Sequence, residues 1–208
     1  MVTNSTKVFV VDDDQDMRQS LQWLIESVGL SVEAFESAEQ FQQRYRGGEP
    51  GCLLLDVRMP GMGGLRLLEQ LQLAGSRLPV IMLTGHGDVA MAVKALKSGA
   101  FDFIEKPAPH QQLLDRIKDA LALDHHWRAR ERDRANLEKL FAKLSQRERD
   151  VLEQLVAGMS NKAIALELGI SERTVEKHRE NLMHKTGARS LAELIRAVVI
   201  FEVDRTNQ

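Results

Sequence analysis

Polar residues of a reactive kind stand where short apolar runs end. Val8–Val11 is followed by Asp12-Asp13-Asp14, Cys52–Leu55 by Asp56, Val80–Leu83 by Thr84, and Phe101–Ile104 leads to Lys106-Pro107. Clustered carboxylates repel one another unless a cation lies between them. Hard oxygen donors of this kind suit Mg2+, which holds octahedral geometry and keeps several waters. A hydroxyl and an ammonium beside such a centre complement a phosphoryl group. On this reading Asp56 is the nucleophile, since a carboxylate can accept a phosphoryl group covalently. Asp12 and Asp13 hold the metal, one directly and one through water, with Asp56 and the backbone carbonyl of Arg58 as further ligands. Mg2+ and Lys106 neutralise the equatorial oxygens during in-line transfer, and Thr84 offers its hydroxyl to the phosphoryl oxygen afterwards. Singly, each residue has a plain structural reading, and Asp14 is read as a helix cap. The ordered set, each at the end of a different strand, is what points to chemistry. Lys106-Pro107 is expected to be cis, because proline is where cis bonds occur and the lysine must be aimed back into the site.

These residues need a scaffold that gathers strand ends. The runs at 8–11, 52–55 and 80–83 are apolar at every position, and those at 32–35 and 101–104 are weaker. Runs without alternation fit a parallel sheet covered on both faces. Between them lie helical stripes: Met17, Leu21, Leu24, Ile25 and Val28, ended by Gly29; Leu65, Leu68 and Leu71; Val89, Val93 and Leu96, ended by Gly99; and Leu113, Leu114, Ile117 and Leu121. Five strands alternating with five helices predict a doubly wound α/β sheet, whose ligands bind at the carboxyl ends of the strands.

The chain has 208 residues, room for two small domains, and 43% of them are hydrophobic, enough to build cores. No apolar run approaches the roughly 18 residues of a membrane span, and MVTNSTK lacks the apolar block of a signal peptide. Cys52 stands alone in an apolar run, so a buried thiol and no disulfide framework are expected. Together these predict a cytoplasmic protein. Net charge is only −2, and no segment is strongly basic, which counts mildly against nucleic-acid binding.

Domain boundaries are placed at 1–123, 124–143 and 144–208. In the middle segment RARERDR mixes signs at helical spacing before Leu137, Leu140, Phe141 and Leu144 restore an apolar stripe. A self-associating linker helix and a solvated connector both fit. The last segment is helical near 146–157, 161–168, 172–186 and 190–201, punctuated by Gly158, Gly169 and Gly187, with Ser160, Ser171 and Ser190 as N-caps. The pair of helices around Gly169 reads as a helix-turn-helix, whose second helix enters the major groove. Ala163, Ile164, Leu168, Val175, Leu182 and Met183 pack inward, leaving Arg173, Glu176, Lys177, Glu180 and His184 exposed. Lys162, Arg173, Lys177, Arg179 and Lys185 supply local positive charge that Glu172, Glu176 and Glu180 dilute. Glu176 and Glu180 can accept from cytosine N4 or form surface ion pairs along the helix. Lys177 is the firmer DNA contact, on base or phosphate. Thr174, His178 and Arg179 are candidates for phosphate, His178 equally for the core. Leu191, Leu194, Ile195, Val198 and Val199 form an apolar stripe, and some of them must close the domain core.

The segments VVDDD, LLLDVRMPGMGG, IMLTGHGD and GAFDFIEKP resemble the receiver domain of two-component response regulators over about residues 5–123. The segment from 144, LSQRERDVLEQLVAGMSNKAIALELGISERTVEKHRENLMHKTGARS, is similar to the LuxR/NarL-type DNA-binding domain, a four-helix unit whose last helix often serves in dimerisation. Throughout its length the chain resembles the FixJ-type response regulators. The resemblance implies a CheY-like fold, phosphate supplied by a sensor histidine kinase, and a switch in which Thr84 moves toward the phosphoryl group while Phe103 turns inward. It also implies a homodimer on phosphorylation, contact with RNA polymerase, and activation of transcription. Phe103 lacks a hydroxyl, so its burial is purely apolar. The Glu176/Glu180 pair departs from the NarL end of the family and leaves the DNA site open.

The reading is therefore a phosphorylation-dependent transcription factor on double-stranded DNA, not an enzyme. A phosphatase of the haloacid-dehalogenase type also uses a Mg2+-bound aspartate, but it needs a second acid two residues on, where this chain has Arg58. A receiver controlling RNA or protein binding is the other rival, separable by salt-dependent, sequence-selective DNA binding.

Overall fold

The computed structural model describes residues 6–85 and 89–206, the side chains of Val89 and of residues 200–206 excepted. Residues 86–88 of the IMLTGHGD segment and the first five residues of MVTNSTK lie outside the described residues. The chain divides into two compact units, 1–128 and 129–208.

In the first unit the order is β1 (Lys7–Val11), α1 (Gln15–Glu26), β2 (Ser31–Phe35), α2 (Ala38–Arg44), β3 (Gly51–Asp56), α3 (Gly64–Leu73), β4 (Val80–Thr84), α4 (Val89–Lys97), β5 (Asp102–Glu105) and α5 (His110–Ala142), the last entering the second unit. All strands pair in parallel in the order β2-β1-β3-β4-β5. The strongest apolar runs are the three inner strands, and the two weaker runs are the edges. Strand alternation splits the core. Phe9, Val11, Leu53, Leu55, Val80 and Met82 pack with α2 and α3 on one face, and Val8, Val10, Cys52, Leu54, Ile81 and Leu83 with α1 and α5 on the other. Cys52 is buried, and desolvation pushes its thiol well above the usual range. Strand order reverses about β1 and β3, so their carboxyl ends open the crevice where such sheets bind ligands.

Helix α5 runs for 33 residues, joining what the sequence reading divides into a final receiver helix and a linker helix. No glycine or proline between 110 and 142 stops it. In the second unit follow α6 (Gln146–Val156), α7 (Asn161–Leu168), α8 (Glu172–Thr186) and α9 (Leu191–Thr206). Ser160 and Ser171 cap α7 and α8, and Gly169 closes α7 in the left-handed region at φ 66°, which lets the chain turn sharply into α8. Val151, Ile164, Val175, Leu182, Leu194 and Val198 form the core. Among the described residues no helix is long and apolar enough to cross a membrane.

An ion pair with its carboxylate buried ties this unit together. Glu148 completes a capping box with Ser145 and accepts from Lys185 Nζ at 2.7 Å. The Lys185 hydrogen bond holds the carboxyl below its ordinary range. A depressed carboxyl stabilises fully above its unfolded value and stops doing so as pH falls through its folded one. Calorimetry of the full chain should therefore show the second unit losing stability below about pH 4.5, with a shallower acid limb in Glu148→Gln. Glu148→Ala should cost about 2 kcal/mol at neutral pH, from the lost cap and the lost partner of Lys185.

Candidate functional site

Four strand ends meet at one edge of the sheet. Asp12 follows β1 and is 1% exposed, Asp56 ends β3 at 7%, Thr84 ends β4 at 2%, and Lys106 follows β5. Lys106 Nζ lies 2.6 Å from Asp12 Oδ2 and 2.5 Å from Asp56 Oδ1, bridging the two carboxylates. The free Oδ positions are held by main chain: Asp14 N–H donates to Asp12 Oδ1 at 3.0 Å, and Arg58 N–H to Asp56 Oδ2 at 2.7 Å. Asp14 caps α1, accepting from the amides of Asp16 and Met17. The Lys106 amide donates to the Thr84 carbonyl at 2.6 Å, and the Lys106-Pro107 bond is cis. Thr84 Oγ1 donates to the Gly85 carbonyl at 3.2 Å. Phe103 is half-buried against the core face that holds Met82 and Ala95.

Burial pushes the Asp56 carboxyl up; the Lys106 ammonium opposes this and the Asp12 charge adds to it. For Lys106, burial acts to lower its pKa, but the two carboxylates outweigh it and hold the ammonium charged. The result is a pair of hard anionic oxygens converging on one cationic atom, with Asp13 exposed next in sequence. That donor set fits a small divalent cation that retains waters. Among the described residues no three His, Cys, Asp or Glu side chains are grouped: Asp13 stands apart from Asp12 and Asp56, and a cation held by all three requires its side chain to turn toward them. Lys106 supplies the intervening positive charge instead.

The β3–α3 loop is fitted tightly around this edge. A Cβ on Gly64 would stand 2.0 Å from the Asp56 carbonyl oxygen, so only glycine lets α3 start beneath the aspartate. Glu39 of α2 accepts from the Met62 amide at 3.0 Å, and Arg18 of α1 reaches back to the Asp12 carbonyl. Neither residue is visible as a site residue in the sequence: each acts on backbone, and neither belongs to a strand end.

In the second unit Lys162, Arg173, Glu176, Lys177, Glu180 and His184 are exposed. Among the described residues no ion pair joins Glu176 or Glu180 to Arg173 or Lys177, so these charges face solvent. Arg179 instead donates to Asn161 at 2.5 Å, tying α8 to the start of α7. Thr174 shares a hydrogen bond with the Ser171 cap. His178 is half-buried with its Nδ1 enclosed and unpartnered, which favours its core-facing alternative. On α9, Leu194 and Val198 close the core while Val199 stays exposed.

Residues 8–118 match the family of response regulator receiver domains, and residues 142–198 match the luxR family of bacterial regulatory proteins. The transcriptional regulatory protein FixJ of Azorhizobium caulinodans is 46% identical, over 94% of this chain and 93% of its own. The transcriptional regulatory protein TdiR of Thauera aromatica is 43% identical over 94% and 86%. Among solved structures, the response regulator StyR superposes with a TM-score of 0.84 at 45% identity, covering 93% of this chain and 98% of that one. Full-length FixJ from B. japonicum gives 0.60 at 41%, covering 95% and 98%.

Proposed function

The chain belongs to the response regulators that join a receiver domain to a luxR-family DNA-binding domain, and from that premise we propose that Asp56 is the acceptor through which phosphorylation controls its binding to DNA. As a two-component regulator the chain is a transcription factor whose receiver responds to phosphorylation and whose output domain binds DNA. The observation that carries the assignment to Asp56 is its carboxylate at the end of β3, bonded to Lys106 and to the Arg58 amide. An oxygen of that carboxylate attacks phosphorus, the bond to the histidine nitrogen of a sensor kinase breaks, and the leaving imidazole keeps the electron pair. Lys106, released from Asp56, neutralises the charge on the phosphoryl oxygens, and Thr84 donates its hydroxyl to one of them. Phe103 then packs further into the adjoining apolar face. Asp12, Asp13, Asp56 and the Arg58 carbonyl would hold Mg2+, which supplies charge neutralisation when bound. Treatment with acetyl phosphate and Mg2+, followed by borohydride trapping and peptide mapping, should place the label on Asp56; a label elsewhere would overturn the assignment.

Residues 1–123 are the proposed receiver and 144–208 the DNA-binding domain, joined by 124–143. Phosphorylation favours a homodimer on a two-fold site, with RNA polymerase contact and activation following from the resemblance to FixJ. Lys162, Arg173, Glu176, Lys177 and Glu180 present their side chains to DNA from α7 and α8; Thr174, His178 and Arg179 also shape that surface. Lys177→Ala should weaken specific binding about tenfold and reduce the slope of log K against log salt by about one. Titrations at several salt concentrations measure both, and an unchanged slope with relaxed sequence preference would assign Lys177 to a base instead of a phosphate.

A further inference from the structure

The peptide joining Asp12 to Asp13 lies between two kinds of backbone bonding. β1 ends at Val11, and the Asp12 amide makes one more contact toward the sheet, to the Phe35 carbonyl at 3.2 Å. Helical bonding starts with the Asp14 carbonyl, which accepts from the Arg18 amide at 3.0 Å. The Asp12 carbonyl therefore sits past the end of the strand and ahead of the helix. Nη1 of Arg18 donates to it at 2.7 Å. A guanidinium bond of this length is charge-assisted. Because the peptide unit is planar, holding its oxygen holds its orientation about the bonds to both flanking α-carbons. On one side is Asp12, buried and bonded to the Asp14 amide and to Lys106; on the other is exposed Asp13.

We propose that Arg18 is a positioning residue of the acceptor site, locking the Asp12–Asp13 peptide from the first turn of α1 so that Asp13, which stands outside the Asp12–Asp56 pair in this structure, has only its own side chain to turn when a divalent cation binds. This rests on the reading of those acids as cation ligands given above. Removing a group that orients metal ligands typically costs 10–100-fold in affinity. The positive charge of Arg18 acts in the opposite direction, repelling a cation, so removal of the charge alone would tighten binding. A positioning role predicts the opposite sign: loss of the guanidinium should weaken cation binding.

The test uses the full chain and Mn2+ as the probe, with free Mn2+ read by electron paramagnetic resonance and Mg2+ added as competitor. Arg18→Met should bind Mn2+ about tenfold more weakly than wild type with an unchanged unfolding midpoint. Arg18→Lys, which keeps a cationic donor, should recover to within about threefold of wild type. At saturating Mg2+ the rate of Asp56 labelling by acetyl phosphate in Arg18→Met should lie within about threefold of wild type, since the guanidinium bonds to the Asp12 carbonyl and not to Asp56. Equal or tighter Mn2+ binding in Arg18→Met overturns the proposal, as does a rate defect that saturating Mg2+ leaves in place. A fall in affinity accompanied by a fall in midpoint also overturns it, in favour of a general support of α1. Asp12→Asn separates the two levels: if it binds Mn2+ as wild type does, the acids are not the ligands and the role of Arg18 falls with that reading.

Discussion

Asp56→Asn is expected to take up no hydroxylamine-labile phosphate from acetyl phosphate and Mg2+, a loss on the order of a thousandfold or more, as when a nucleophile is removed. The amide nitrogen is no nucleophile at neutral pH, and the remaining oxygen carries no full charge with which to attack phosphorus. The fold should survive the change. Burial raises the Asp56 carboxyl above its ordinary value despite the Lys106 ammonium, so ionised Asp56 is a net burden on the folded state. For an acid raised in this way, stability is greatest below its unfolded value and declines as pH rises through its folded one. At neutral pH the neutral asparagine should therefore give an unfolding midpoint equal to or above that of wild type. The pairing of a lost reaction with an undiminished midpoint separates a missing acceptor from a damaged domain. In sedimentation and DNA-binding measurements, the donor should strengthen self-association and selective binding in wild type alone. A mutant that still responds to acetyl phosphate would show that another residue carries the signal.

The gathering of the strand-end residues was largely legible in the chain because it follows from strand order. Once Val8–Val11, Cys52–Leu55 and Val80–Leu83 are inner strands of a parallel sheet, the residues after them must share an edge, and Asp12, Asp56, Thr84 and Lys106 do. The sequence could not say that Lys106 would stand between the carboxylates, because that depends on where a flexible side chain finds its partners. Helix α2 showed no apolar stripe of useful length. Its burial rests on Ala38 and Phe41, and Phe41 joins Phe9, Phe35 and Tyr45 in a cluster of edge-to-face and stacked rings. In the output domain glycines and serines marked the turns well, since capping is local chemistry. Partner choice was less visible: Lys185 and Arg179 look like surface cations in the sequence, yet one is spent on Glu148 and the other on Asn161. Charge alone does not distinguish a cation facing DNA from one bonded within its own domain.

Asp124 is the sharpest case, an acid placed by its charged surroundings in the linker and found 3% exposed within the first unit. Both its oxygens receive Nε of Arg128, at 2.8 and 2.7 Å, and Oδ2 also accepts the Gly51 amide at 3.0 Å. The same guanidinium donates to the carbonyls of Gly48 at 2.7 Å and Glu49 at 2.5 Å. One ion pair thus fastens α5 to the loop that leads into β3, the strand that carries Asp56 at its far end. Gly51 cannot be replaced to do this job differently, since a Cβ there would stand 2.0 Å from the Lys7 carbonyl oxygen. Removing one member of a buried pair costs more than the pair contributes, because the other is left without its counter-charge. Arg128→Ala should accordingly destabilise the first unit by about 3–5 kcal/mol, lowering its midpoint by roughly 10 °C or more. Asp124→Ala should cost less, near 3 kcal/mol, because Arg128 is partly exposed and can turn to water. If the pair acts as a unit, Asp124→Leu combined with Arg128→Met should be more stable than Arg128→Ala alone. A double variant no more stable than Arg128→Ala, measured by denaturant unfolding of the full chain, would mean that the two side chains do not act as a pair in fastening α5 to that loop.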